Sequence, residues 1–247
     1  MDPNWASQLL EIYGIELEMY SNLERTHDLE RSYSQCIQIN SAVPHPKLMG
    51  LVRETGGKIF ARKSTQYHLS PPFSLSIVIF FKLLENWDKA LSEFFESFKC
   101  YEEAGSPSMI KILKYLILVG LLSGSTVSLF DTPETKSYEN NPEILIVNSL
   151  ASAYQSQDLD SFNNIINTNP EVLENDPFMK MYVSDISRSM QNLILVTITK
   201  PYSRVPLTHL AASLGVDDVV EMLANAIMDG QLPGFIDEQD MVYTAVP

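Results

Sequence analysis

The residue types that could carry out catalysis do not form a catalytic pattern in this chain. A zinc hydrolase needs three ligands on a rigid frame and a nearby general base. The four histidines are scattered, with no His-x-His or His-Glu-x-x-His spacing, at His27, His45, His68 and His209. We therefore expect no metal site, no cofactor and no catalytic residues.

The tripeptide Gly56-Gly57-Lys58 resembles part of a phosphate-binding loop. In that motif the first glycine would stand at Val52, and Ile59 occupies the position where Ser or Thr would hold magnesium. The tripeptide also lies inside a helical pattern and does not follow a strand. We interpret the two glycines as sites of close helix packing. Neither Cys36 nor Cys100 has a basic pattern around it that would lower its pKa, so both are predicted to be structural.

Composition and charge argue against several classes of partner. The net charge of −14 over 247 residues would repel phosphate backbones and anionic membrane surfaces. Two cysteines and no secretory signal fit a reducing intracellular compartment. The longest apolar run, Phe73 to Leu84, has 12 residues and contains Lys82, which is too short for the roughly 20 residues of a membrane span. We expect neither a nucleic-acid nor a membrane partner.

Most of the chain has the periodicity of amphipathic helices. From Trp5 to Ser21 an apolar stripe recurs, and helices are predicted to begin near Thr26 or Asp28, and near Asn86, Ser106-Pro107, Pro142, Asp158 and Asp176-Pro177. Residues 131–143 are predicted to form a loop.

Three of these starts share one pattern, a capping residue followed by a large apolar residue, at Asp28, Asn86 and Asp158. The starts at Asn86 and Asp158 are 72 residues apart, which is two periods of 36. Without residues 64–84, the starts at Asp28 and Asn86 would be 37 residues apart, close to the period of about 34 residues of tetratricopeptide-like repeats. We interpret residues 64–84 as an insertion, with chance matches of the pattern as the alternative.

The last 48 residues change character. A short helix ending at Gly215, a second helix from Val216 to about Gly230, and two strand-like segments predict a winged-helix module. No Lys or Arg occurs from Val205 to Pro247, whereas seven acids do, at Asp217, Asp218, Glu221, Asp229, Asp237, Glu238 and Asp240. A DNA recognition helix needs basic residues, so we predict a protein-interaction module. The candidate partner-binding residues on its hairpin edge, where a neighbour's strand could pair, are Phe235, Ile236, Val242 and Tyr243, of which alternate residues must face the core of the module itself.

A series of stretches in this order resembles the PCI family of proteasome lid, COP-9 signalosome and translation initiation factor three subunits. The resemblance is greatest to second subunits of the signalosome, from about Leu10 to Asp237 without residues 64–84. The stretches that carry it are YGIELEMY, SAVPHPKLMGLVRETGGK, SFKCYEEAGSP, LKYLILVGLL, LFDTPETKSYENNPEIL, SAYQSQDLDSF, NDPF and ITKPYSRV.

The resemblance implies a mainly α fold, with tetratricopeptide-like helical repeats followed by a winged-helix (PCI) module with a small β-hairpin. It implies a helical-repeat segment at residues 1–90 and a PCI domain at 91–247, divided into a helical part at 91–175 and the winged helix at 176–247. In the family a further helical-repeat region precedes the equivalent of Trp5, and a C-terminal helix follows the winged helix. Relative to that pattern the chain is expected to be truncated at both ends.

The implied function is that of a non-catalytic scaffold supporting the removal of NEDD8, a ubiquitin-like protein, from cullins in the cytoplasm and nucleus. The implied partners are other signalosome subunits, bound through winged-helix edges. A cullin-RING ligase is a further implied partner, although the family repeats that contribute to cullin contact are those preceding Trp5. Two alternatives stand beside this function: a homologous subunit of the 26S proteasome lid, and, from a different class, a winged-helix DNA-binding regulator.

Overall fold

The computed structural model is built almost entirely of helices and has one small sheet. It describes residues 3–23, 25–39, 45–68, 77–123, 133–173, 175–216, 219–228, 230–237 and 240–245. The helices are α1 (Pro3–Asn22), α2 (Thr26–Gln38), α3 (Pro46–His68), α4 (Ile77–Glu103), α5 (Ser108–Ser123), α6 (Pro133–Lys136), α7 (Pro142–Ser156), α8 (Leu159–Thr168), α9 (Pro170–Leu173), α10 (Pro177–Thr199), α11 (Leu207–Leu214) and α12 (Val219–Met228). The strands are β1 (Arg204–Pro206), β2 (Gly234–Asp237) and β3 (Val242–Ala245). The mainly α fold expected from the sequence is confirmed.

The chain divides into two compact units. Unit 1 contains the described residues up to Asn148, and unit 2 runs from Ser149 onward. The domain boundary that the resemblance implies, between residues 90 and 91, lies within α4, which is continuous from Ile77 to Glu103, and it stays a prediction. The two compact units meet within α7.

Some predicted helix ends agree with the structure because they depend on capping residues close by in the sequence. The Asp158 carboxylate accepts a hydrogen bond from the Ser161 amide at 3.0 Å, and the Asp176 carboxylate accepts one from the Phe178 amide at 2.9 Å. Gly215 ends α11 with a φ of 63°, which glycine adopts without steric cost. These two caps and this C-terminal glycine are confirmed.

Two of the three capping residues from which the period of the repeat was inferred do not cap a helix. Asp158 caps a helix, but Asp28 lies inside α2, and the residue at the cap position, Arg25, makes no side-chain cap. Asn86 lies inside α4. A polar residue before an apolar one is also ordinary helix sequence, so the pattern does not mark helix starts reliably. The predicted loop at 131–143 contains the short helix α6, and Asp131 and Thr132 lie outside the described residues.

The inferred insertion at 64–84 falls mostly outside the described part of the chain. Residues 69–76, and the side chains of 65–85, are not described. The backbones of α3 and α4 extend into the interval from its two sides, to His68 and from Ile77. Ser64 itself is buried in α3, where its hydroxyl donates to the Phe60 carbonyl at 3.1 Å. Among the described helices, none combines the length and apolarity that crossing a bilayer requires.

The two adjacent glycines of α3 allow aromatic rings to approach its backbone, as predicted. A Cβ at Gly56 would stand 2.5 Å from the Tyr33 ring of α2, and one at Gly57 would stand 2.6 Å from the Phe94 ring of α4. The Phe94 side chain is fully buried. Gly56-Gly57-Lys58 is thus a packing motif that seats α3 between α2 and α4.

We expect Gly57→Ala to destabilise unit 1. Replacing glycine by alanine in a helix favours folding by about 0.5–1 kcal/mol, whereas overpacking a buried site costs about 1–3 kcal/mol. Because the Phe94 ring is enclosed, the clash should win, and the free energy of unfolding should fall by about 1 kcal/mol or more. Urea denaturation measures the free energy of unfolding. In a chain that already carries Gly57→Ala, Phe94→Leu should lower this free energy by less than it does in the unmodified chain.

A buried carboxylate ties α3, α4 and α5 together. The side chain of Glu54 is only 6% exposed, and its Oε1 lies 2.7 Å from Lys58 Nζ and 2.7 Å from Lys111 Nζ. The hydroxyl of buried Tyr101 donates to Oε2 at 3.0 Å. Both lysines also lie near the Tyr115 ring, with Nζ 5.4 and 5.7 Å from its centroid. We call Glu54, Lys58, Lys111 and Tyr101 the Glu54 cluster.

The Glu54 cluster should make the stability of unit 1 depend on pH. Burial raises the pKa of the Glu54 carboxyl, but the ammonium groups of Lys58 and Lys111 outweigh it and hold that pKa below its ordinary 4.5. A lowered folded-state pKa stabilises the fold above the unfolded-state pKa, and this stabilisation is lost as the pH falls through the folded-state value.

The difference in unfolding free energy between the unmodified chain and Glu54→Gln should therefore be constant near neutral pH and shrink below pH 4.5. Urea titrations at a series of pH values test it. Comparison with Glu54→Gln removes the contribution of the other carboxyl groups, because they titrate in both proteins. A difference in unfolding free energy that grows on acidification would contradict the ion pairing of Glu54.

Candidate protein-interaction surface

The winged-helix module of unit 2 is assembled from α10 to β3 around one apolar core. Leu195 of α10, Leu210 of α11, Leu223 of α12 and Tyr243 of β3 are fully or almost fully buried in it. The Tyr243 hydroxyl donates to the Pro233 carbonyl at 2.8 Å, and its burial raises the pKa of this phenol. The predicted order of helix, helix and hairpin is present.

The sheet contains a strand that the sequence did not predict. β1, β3 and β2 lie in that order, and both pairs are antiparallel. β1 has only three residues and ends at Pro206, so it shows too little period-2 alternation to be recognised from sequence. Its pairing continues beyond the ladder, because the Leu207 amide donates to Met241 O at 2.9 Å and the Ala245 amide donates to Ser203 O at 2.9 Å.

The third strand changes which candidate residues lie at an edge. We expected both strands of the hairpin to form the edge, but β3 is central and pairs on both sides, which removes Val242 and Tyr243 from any edge. Tyr243 is also 1% exposed. Of the four candidates, only Phe235 and Ile236, in β2, occupy an edge strand.

Register and alternation determine the face to which each candidate points. Phe235 pairs with Thr244, and Ile236 with Tyr243. Since Tyr243 points into the core and side chains alternate along a strand, Ile236 shares the inner face while Phe235 and Val242 share the outer face. Phe235 is 53% exposed, so a large aromatic side chain meets solvent on an edge strand. This strand and its phenylalanine are the candidate partner surface.

Gly234 allows β2 to lie close to β3. A Cβ at this position would collide with the backbone carbonyl oxygen of Thr244 and would stand 2.8 Å from the Tyr243 ring. We therefore expect Gly234→Ala to lower the melting temperature of unit 2, at a cost of about 1–3 kcal/mol. Circular dichroism melting measures it. Gly215→Ala is the contrasting variant, because no atom lies within 4 Å of its added Cβ and only its φ of 63° is strained.

The described part of the module offers little to a nucleic-acid backbone. Neither α11 nor α12 contains Lys or Arg. The Arg204 guanidinium lies 3.5 Å from the Asp240 carboxylate, and both side chains are well exposed. Of the seven acids in this region, Asp217, Asp218, Asp229 and Glu238 lie outside the described residues. The charge of the remaining surface favours a protein partner over a duplex.

Among the described residues, those considered for catalysis form no cluster of possible metal ligands. His27, His45 and His209 are exposed, the side chain of His68 lies outside the described part, and no metal-binding group of His, Cys, Asp and Glu occurs among the described residues. Burial raises the pKa of the Cys36 thiol to about 11 and that of Cys100 in the same direction. A protonated thiol is a poor nucleophile, which agrees with a structural role.

Comparison with known proteins agrees with the fold. The PCI domain family matches residues 163–244, which contain α10, α11, α12, β1, β2 and all of β3 except Ala245. COP9 signalosome complex subunit 2 of Schizosaccharomyces pombe is 36% identical over 245 residues, which is 98% of this chain and 51% of that protein. The protein of the same name from Dictyostelium discoideum is 35% identical over 239 residues, 96% of this chain and 49% of that protein.

The similarity to a proteasome subunit is weaker. The 26S proteasome non-ATPase regulatory subunit 11 of Dictyostelium discoideum is 26% identical over 159 residues, covering 62% of this chain and 38% of that protein. The chain spans about half the length of the signalosome relatives that it matches along nearly all of its own residues. The chain therefore contains a region that matches the PCI domain family, and it is similar to COP9 signalosome complex subunit 2 proteins along nearly all of its own length.

Proposed function

We propose that this chain is a non-catalytic scaffold subunit of a COP9 signalosome and supports deneddylation of cullin-RING ligases through protein contacts alone. The observation that carries the proposal is the similarity of 96–98% of the chain to signalosome subunit 2 proteins. The winged helix offers an edge strand to a sister subunit, and the helices of unit 1 supply a packed arm. We expect the chain in the cytoplasm and the nucleus.

The geometry of β2 supports docking by strand addition. An edge strand presents backbone N–H and C=O groups that a partner strand can pair, and adjacent side chains add specificity. β2 carries one half-exposed aromatic residue, Phe235, of the type enriched in interface hot spots. Its short length, four residues, would limit indiscriminate pairing.

An affinity purification separates the possible complexes. The tagged chain is recovered from its own cells, and the proteins that accompany it are identified by mass spectrometry. We expect the other signalosome subunits in near-equal amounts and cullins in smaller amounts. Recovery of proteasome lid subunits in their place would indicate that the chain is a subunit of the lid. Recovery of neither set would refute the scaffold assignment.

A DNA-binding role is the alternative from a different class. The absence of Lys and Arg from Val205 to Pro247 disfavours it, because phosphate contacts supply most of the affinity of nonspecific binding. A gel shift with a pool of random duplexes tests it. We expect no shifted band at physiological salt, and a sequence-specific shift would favour the regulator.

A further inference from the structure

A groove between α8 and α10 carries only positive charge, although unit 2 around it is acidic. Residues 149–247 contain 13 acidic and four basic residues, a net charge of −9. Two of the four basic residues, Lys180 and Arg188 of α10, line this open groove of about 460 Å³, and both side chains are exposed. None of the described residues that line the groove is acidic. A ligand inside it therefore meets cations and no carboxylate.

The other two basic residues of unit 2 have local roles that Lys180 and Arg188 lack. The Arg204 guanidinium lies 3.5 Å from the Asp240 carboxylate. Lys200 is the C-cap residue of α10, where the negative end of the helix dipole favours a cation. Lys180 lies instead in the first turn of α10, where the dipole disfavours a cation. No ion pair between described residues involves Lys180 or Arg188, so stabilisation of the fold does not explain where they lie.

The acids that are closest in sequence stand outside the groove. Asp176 precedes Lys180 by four residues and caps α10, Asp185 has a buried carboxylate oxygen, and Asp160 lies one turn before Asn163 on α8. None of the three lines the groove. A ligand that extended beyond the groove would meet this surrounding negative charge. A long polyanion such as nucleic acid is therefore disfavoured, and a short anionic segment is favoured.

The remaining groups of the groove suit an extended peptide. Polar uncharged side chains line it between and beside the two cations, at Asn163, Ser184, Ser187 and Gln191. They can bond the free backbone groups of an extended chain, whereas a helix already uses its own backbone groups internally. Eight residues along α10 separate the Cα atoms of Lys180 and Arg188 by about 12 Å. Residues four apart in an extended chain share one face and lie about 13 Å apart, which matches this separation.

We propose that the groove between α8 and α10 binds an extended acidic segment of a partner protein, in which two Asp or Glu residues four apart meet Lys180 and Arg188. Their carboxylates accept charge-assisted hydrogen bonds from the ammonium and guanidinium groups. The groove contains no residue of the sheet. This interaction is therefore independent of docking by β2, and either one can fail without the other.

Two synthetic peptides of about nine residues test the proposal. Both have blocked ends and two glutamates among serine and threonine, so their charges are equal. The glutamates are four residues apart in one peptide and adjacent in the other. Fluorescence anisotropy measures binding to the full chain at low ionic strength. We expect the spaced peptide to bind at least about threefold more tightly, and both to bind more weakly at high salt. Equal binding of the two peptides, or no binding of either, would overturn the proposal.

Substitutions separate binding in the groove from general electrostatic attraction. Lys180→Gln/Arg188→Gln should weaken binding of the spaced peptide by at least about tenfold. Lys200→Gln/Arg204→Gln is the matched control, because it removes the same charge from unit 2 outside the groove, and it should change binding by less than about twofold. All four side chains are exposed, so the fold should tolerate both changes. Equal losses from the two double variants would overturn a site in the groove.

Two further measurements distinguish other occupants. If an oligothymidine with the same charge as the spaced peptide bound more tightly than that peptide, the groove would be a phosphate site and the proposal would be overturned. Light scattering detects self-association. A dimer abolished by Lys180→Gln/Arg188→Gln would identify the acidic segment as part of a second copy and would overturn a separate partner. We expect the oligothymidine to bind more weakly than the peptide and the chain to scatter as a monomer.

Discussion

Replacing Phe235 with lysine should reduce recovery of the other signalosome subunits on the tagged chain by at least about tenfold, or about 1.4 kcal/mol of binding free energy. Two effects act together. The substitution removes a half-exposed aromatic side chain from the outer face of β2, and it places a charge on an edge strand, a device that opposes strand addition. The readout is the amount of each subunit relative to the tagged chain in quantitative mass spectrometry.

The fold should tolerate Phe235→Lys. A substitution at a site 53% exposed usually changes the free energy of unfolding by no more than about 0.5 kcal/mol. Leu193→Lys provides the matched control, because Leu193 is also a half-exposed apolar residue of unit 2 but lies in α10 and not in the sheet. Equal losses from the two variants, or none from Phe235→Lys, would show that β2 is not the docking edge.

Replacing Glu54 with alanine should lower the free energy of unfolding of unit 1 by about 3 kcal/mol. Removing one partner of a buried ion pair costs about 3–5 kcal/mol, because the remaining charge is left without compensation. The side chains of Lys58 and Lys111 are 21% and 40% exposed, so water screens part of that loss. The buried Tyr101 hydroxyl would also lose its acceptor, which adds about 1–2 kcal/mol.

Tryptophan fluorescence reports unit 1 selectively during urea denaturation, because both tryptophans of the chain, Trp5 and Trp87, lie in it. The matched control is Glu96→Ala. Glu96 also pairs with a lysine, Lys99, at 3.2 Å, but it is 49% exposed, so its loss should cost under about 1 kcal/mol. If Glu54→Ala were no more damaging than Glu96→Ala, the Glu54 cluster would be an incidental surface network.

Features that rest on neighbouring residues were predictable from sequence. The carboxylates of Asp158 and Asp176 bond amides two or three residues ahead, and Gly215 needs only its own φ. The fit of Gly56 and Gly57 followed from finding two glycines in a helical pattern, although their aromatic neighbours could not be named. Asn86 shows the limit of this reasoning, because an adequate capping residue is also tolerated inside a helix whose apolar face continues through it.

Features that depend on distant residues were not predictable. Glu54 and Tyr101 are 47 residues apart, and only the Glu54–Lys58 pair has a recognisable helical spacing. β1 is recognisable only once β3 is in place to pair with it. The second apolar face of α1, at Ile12 and Ile15, was overlooked because Leu10 and Leu17 already satisfied the expected amphipathic pattern. Such a face becomes apparent only when burial separates it from the first.

A cryo-electron microscopy reconstruction of particles purified on the tagged chain tests the central claim most directly. We predict density for unit 2 within a signalosome, with β2 hydrogen-bonded to the edge strand of a neighbouring winged helix and Phe235 in the contact. Particles that lack this chain, or that hold it through a surface remote from β2, would contradict docking by the winged-helix edge.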